Sequence, residues 1–133
     1  MKQEEKQLLL KDLCNRLPYG VKAKVWGWDE EKGEVEVPLR IYSINTDGYV
    51  QFEANDYDVN QLNVDDCLLY LRPMSSMTED EMEDYLSECD KDNLDTLSAP
   101  HYHGTDWLNK KMFDYRGLIP MGLALPAPED MYK

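Results

Sequence analysis

Apolar residues recur at helical spacing over residues 3–16. Leu9, Leu10, Leu13 and Leu17 share one side, while Glu4, Glu5, Lys6, Lys11 and Asp12 occupy the others. Leu17-Pro18 ends this helix, because the residue before a proline avoids the helical region. Tyr19-Gly20 then turns the chain. From residue 21 to residue 54 the repeat becomes alternation. Val21, Ala23 and Val25 alternate with Lys22, Lys24 and Trp26; Val35, Val37, Leu39 and Ile41 with Glu34, Glu36, Pro38 and Arg40; Val50, Phe52 and Ala54 with Tyr49, Gln51 and Glu53. This predicts three half-buried strands. Asp29 to Gly33 forms the first turn, with Gly33 suited to a positive φ, and Thr46-Asp47-Gly48 forms the second. With Thr46 and Asp47 as the loop, Ser43 lies opposite Val50, Ile41 opposite Phe52 and Leu39 opposite Ala54, so all the apolar side chains share one face. Pro38 predicts a bulge or an unpaired amide in the second strand.

Residues 55–66 are acidic and rich in turn formers, a loop with one short extended piece. Residues 67–72 (CLLYLR) predict a fourth strand buried on both faces, ended by Pro73. Thr78 with Glu81 forms a capping box, and Glu79, Asp80 and Glu81 suit the first turn of a helix. That helix should run to about Cys89, with Met82, Tyr85, Leu86 and Cys89 along its inner stripe. A polar loop over 90–104 follows. Thr105 then caps a helix to about Phe113 that buries Trp107, Leu108 and Met112. Residues 117–128 (GLIPMGLALPAP) read as an irregular apolar strap over the core, which could also cover the outer face of the strands. The order implies an α+β domain spanning 1–133. Its architecture is a small bent or barrel-like antiparallel sheet of about four strands, with an N-terminal helix and two C-terminal helices. An open sheet with the helices on one face is the second arrangement.

Charge changes the picture most. The chain of 133 residues carries a net charge of −13, and residues 53–95 hold 14 of its 27 acidic residues against two bases, Arg72 and Lys91. Such a field repels nucleic acid and anionic membrane and attracts cations or a basic protein surface. The expected partner is therefore an unknown protein with a basic surface; nucleic acid is disfavoured and no membrane contact is expected. No apolar run approaches the ~20 residues that span a bilayer, and Met1 to Lys6 is unlike a secretory signal, which predicts a cytoplasmic location. The three cysteines, Cys14, Cys67 and Cys89, form no C-x-x-C pair. Cys14 and Cys67 adjoin apolar runs and are expected in the core, while Glu88 and Asp90 disfavour a thiolate at Cys89.

Candidate chemistry is sparse. The outer face of the first three strands should carry Lys22, Lys24, Trp26, Trp28, Arg40, Tyr42 and Tyr49. Aromatics among bases suit single-stranded nucleic acid, but Glu34, Glu36 and Glu53 oppose that use and favour a protein or peptide, unless the strap covers the rings. His101 and His103 could point the same way on an extended segment, with Asp106 or Cys89 completing a metal site or an imidazole serving as a base. An ordinary loop is the simpler reading of the pair. Asp90, Asp92 and Asp95 lack the glycine and the closing glutamate of a calcium loop. Arg72 and Arg116 stand ready to pair with Asp66 or Asp114 and hold loops. There is no glycine-rich phosphate loop, HExxH helix or G-x-S-x-G, and no cofactor is expected.

Three stretches, LLLKDLCNRLPYGV (8–21), YLRPMSSMTEDE (70–81) and DWLNKKMFDYRGLIPMGLALPAPEDMYK (106–133), resemble a family of small uncharacterised proteins of gut anaerobic bacteria and their phages or mobile elements. The resemblance implies a bacterial or phage cytoplasmic setting and transfers no catalytic or ligand residue. The expectation is a non-enzymatic acidic protein-interaction module, with Trp26, Trp28, Tyr42, Tyr49, Glu79, Glu83 and Asp84 as partner-binding residues. The alternatives are a DNA mimic that inhibits a DNA-binding protein, its carboxylates imitating phosphates, and a small metal-dependent enzyme using His101 and His103.

Overall fold

Helix α1 spans Gln3–Arg16 and buries Leu9 and Leu13. In the computed structural model, which describes residues 2–45, 48–52, 61–94 and 103–132, it packs on the inner face of the sheet. The side chains of 26–29, 61, 62, 65 and 91–94 fall outside the described ones. A short 3-10 turn at Leu17–Tyr19 follows α1, and Gly20 takes φ 82°. Arg40 crosses there, with Nε 3.1 Å from where a Cβ on residue 20 would sit, so glycine is needed for both conformation and space.

The strands are β1 (Lys22–Asp29), β2 (Gly33–Ile44), β3 (Tyr49–Phe52), β4 (Gln61–Asn63), β5 (Leu68–Leu71) and β6 (Ala124–Pro126). They form one open six-stranded sheet in the order β4-β3-β2-β1-β5-β6. The α+β class and the bent antiparallel meander are as the alternation predicts. β5 and β6 pair in parallel, which makes the sheet mixed. The strap over 117–128 is thus only partly irregular: Ala124–Pro126 joins the sheet edge, while Leu118 and Leu123 enter the core. β5 has one wholly buried face, Leu69 and Leu71, and one half-buried face, Leu68 and Tyr70, rather than two buried ones.

β2 is the long strand that joins the two parts of the sheet. It pairs with β1 from Gly33 to Arg40 and with β3 from Ile41 to Ile44. Ile41 faces Phe52 as expected, but Ser43 then faces Gln51 and Ile44 faces Val50, because a bulge intervenes at Tyr42. Leu39 pairs with Ala23 of β1; Ala54, Thr46 and Asp47 lie outside the described residues. Pro38 needs no bulge. The Ile41 amide donates to the Val21 carbonyl at 3.0 Å, which makes Lys22/Arg40, and hence Lys24/Pro38, a pair without direct ladder bonds. The proline nitrogen therefore faces away from β1.

Helix α2 covers Glu79–Leu94 and α3 covers His103–Lys110. α2 runs past Cys89, so Asp90 lies on a helix and not in a calcium-type loop; Asp95 lies outside the described residues. α3 ends where Met112 takes φ 65°. The Met112 amide donates to Asn109 O and the Phe113 amide to Leu108 O, at 3.1 and 3.0 Å, which is the Schellman pattern with methionine in the usual glycine position. Met112 and Phe113 are both buried just beyond the helix.

Two sequence expectations fail inside this body. Cys14 is exposed, whereas Cys67 is buried, and burial with the nearby Asp66 charge pushes the Cys67 thiol up to about 12. Asp12, expected on an outer face, is wholly buried beside Arg16. Arg16 donates from Nε to Asp12 Oδ2 at 2.8 Å and from Nη2 to Phe113 O at 2.6 Å. Arg116 donates to Asp12 Oδ1 at 2.7 Å, so its partner is Asp12 and not Asp114. Asp114 instead accepts from the Leu118 and Ile119 amides. One carboxylate thereby ties α1 to the segment after α3.

Candidate functional site

The acidic helix α2 is locked to the body from below. Thr78 and Glu81 form the predicted capping box: the Glu81 amide donates to Thr78 Oγ1 at 3.2 Å, and the Thr78 amide to Glu81 Oε1 at 3.1 Å. Glu81 also receives both Arg72 terminal nitrogens at 2.6 and 2.7 Å. That fork replaces the expected pairing of Arg72 with Asp66, which is exposed. The guanidinium and the Thr78 cap together pull the Glu81 carboxyl down to about 2. The Arg72 guanidinium lies 4.2 Å from the Phe113 ring centroid. Phe113 stacks on Trp107 at 5.8 Å, and Trp107 meets Tyr85 of α2 at 5.6 Å. This second small core of Trp107, Leu108 and Phe113, with Met77, Tyr85 and Tyr115 against it, seats the helix.

Its inward stripe is therefore Glu81, Tyr85, Glu88 and Cys89, all half-buried. Met82 and Leu86, expected inside, are 45 % and 53 % exposed. Glu79, Asp80, Glu83 and Asp84 are exposed, and no described Lys or Arg forms an ion pair with them. Three of these, Glu79, Glu83 and Asp84, are sequence-predicted contact residues, and the helix brings them together on its outward side. Met82 and Leu86 were missed as surface residues because apolar type outweighed position in the stripe.

The sheet-face candidates are separate from α2. Tyr42 is 69 % exposed at the bulge and Tyr49 is 38 % exposed on β3, so the strap leaves both uncovered. The side chains of Trp26 and Trp28 lie outside the described ones. Register sets Glu36 opposite Trp26 and Glu34 opposite Trp28, and Lys24 Nζ sits 3.5 Å from Glu36 Oε1. Acids and bases thus share this face, the bases toward the Lys22/Arg40 end and the acids toward the turn. The carboxy-terminal segment instead inserts Tyr132 beside it. The Lys22 amide donates to the Tyr132 hydroxyl at 2.9 Å, and that hydroxyl donates to the Tyr70 carbonyl at 2.7 Å. The phenol bridges β1 and β5, and burial pushes it up to about 12.

His103 opens α3 and is exposed, so it stands on a helix and not on the extended segment expected. Asp106 accepts a hydrogen bond from the Tyr19 hydroxyl at 2.5 Å. His101 lies outside the described residues, and among the described residues no group of three or more His, Cys, Asp or Glu could hold a metal ion. A cleft of about 790 Å³ lies among Arg72, Thr78, Glu81, Lys111, Pro126 and Tyr132. Two of the charges that line it, Arg72 and Glu81, neutralise each other. No helix of the described residues is long and apolar enough to cross a membrane.

No protein-family model, curated protein or solved structure matches this chain.

Proposed function

We propose that this chain is a non-enzymatic acidic interaction module that binds a protein with a basic surface, in the bacterial or phage cytoplasmic setting its sequence resemblance implies. The observation that carries this reading is the outward side of α2. Glu79/Glu83 and Asp80/Asp84 are like charges one helical turn apart, each such pair costing an isolated helix about 0.2–0.5 kcal/mol. Arg72 neutralises Glu81 and seats the helix, while the four outward carboxylates have no such partner among the described residues. A basic protein surface supplies the missing countercharge and gains association rate from the field.

The test is capture of partners by the tagged chain from its native host, with identification by mass spectrometry. The wild type is compared with the triple variant Glu79→Gln/Glu83→Gln/Asp84→Asn. The reading predicts a basic partner whose recovery falls steeply as salt rises and drops about tenfold or more in the triple variant. Salt-insensitive capture that the triple variant retains contradicts it. Competition of the captured partner by duplex DNA would place this module among DNA mimics.

A further inference from the structure

We propose that Met82 and Leu86 form the anchor strip for a cationic amphipathic helix of the partner, with Glu79, Glu83 and Asp90 receiving its Lys or Arg side chains. The assignment rests on the reading of α2 as the contact surface and deepens it. Met82 and Leu86 lie one turn apart on one side of the helix. Tyr85 and Cys89, half-buried, border the strip toward the body; Glu79, Glu83 and Asp90, exposed, border it toward solvent. Single exposed apolar residues are ordinary. Two adjacent ones rimmed by carboxylates form the pattern that a basic amphipathic helix complements, with apolar positions at three- and four-residue spacing and cations beside them.

Charge decides the occupant. A second copy would bring the same carboxylates together, since the chain carries −13 overall. An anionic lipid surface or a nucleic acid is repelled by the same groups. A cleft evolved for phosphates would meet the carboxylates and leave Met82 and Leu86 without a counterpart.

The experiment is an NMR titration of the full chain with a Leu/Lys peptide whose leucines fall at helical spacing, beside a scrambled peptide of the same composition. The inference expects shift changes centred on residues 79–90 and about tenfold tighter binding of the patterned peptide. It also expects about a tenfold loss in Met82→Ser/Leu86→Ser at unchanged Tm. Equal binding of both peptides or full binding by the double variant would overturn the anchor strip while leaving a purely electrostatic contact on α2 standing; shifts centred elsewhere would overturn both the strip and α2 as the contact surface. Failure of both peptides to bind at low salt would overturn the strip and the acidic-module reading together.

Discussion

Met112 holds a backbone conformation that a side chain disfavours by about 1–2 kcal/mol, and it does so while almost fully buried. Its side chain offsets the cost by filling the core beneath α1. Met112→Ala should lose about 2–4 kcal/mol of stability. Met112→Gly removes the same packing but relieves the backbone, so it should be more stable than the alanine variant by about 1 kcal/mol. Urea unfolding of the pair checks this order. Asp12 is the second decisive residue. Asp12→Ala leaves Arg16 and Arg116 facing each other without their shared carboxylate, a loss of about 3–5 kcal/mol that the same unfolding measurement reads. The one-turn spacing of Asp12 and Arg16 is visible in the chain, but their charge argues for an outer face, and the structure instead buries both beside Leu9 and Leu13. The role of Arg116 is not visible there, because it arrives from 104 residues away.

α2 shows which features of an element local pattern can supply. The cap at Thr78 and Glu81 is written in four consecutive residues, and the structure has it. The inner stripe depends on what lies beneath: Arg72 reaches back under the first turn from just before the helix, and Trp107 comes from α3. Tyr85 belongs to the true stripe and to the expected one, so periodicity alone leaves the rotation of the helix open by tens of degrees. The Arg72 fork then turns Glu81 inward and Met82 outward. Because the folded Glu81 carboxyl is held at about 2 against an ordinary 4.5, its contribution is complete above the ordinary value. That contribution is lost as pH falls toward about 2. Thermal stability should therefore decline between these pH values, and Arg72→Met should flatten that decline. A variant whose acid limb matches the wild type would show that the fork does not govern it.

The whole molecule divides its labour by charge. Residues 1–52 carry nine acids against eight bases, and 96–133 four of each; these ends build α1, four of the six strands and the Trp107–Phe113 part of the seat for α2. The middle supplies β4, β5 and the acidic helix. The meander and the helix order follow from alternation and spacing along the chain. β6 does not, since Leu125-Pro126 and its neighbours are too rich in proline and glycine to signal a strand. It pairs only because β5 offers a parallel edge beside the Arg72–Phe113 bridge. The outward carboxylates of α2 follow from the acidity of its sequence, while the apolar strip among them does not.

The proposed contact rests on outward carboxylates kept at the expense of helix stability, and Glu83→Lys probes that trade in one molecule. It turns the repulsion between Glu79 and residue 83 into an attraction, worth about 0.5–1 kcal/mol in total. Thermal unfolding and partner affinity, measured side by side, should move in opposite directions: Tm rises, and the captured basic partner binds at least tenfold more weakly. A variant that gains stability and keeps its partner at wild-type affinity would contradict the claim that this face exists to meet a basic surface.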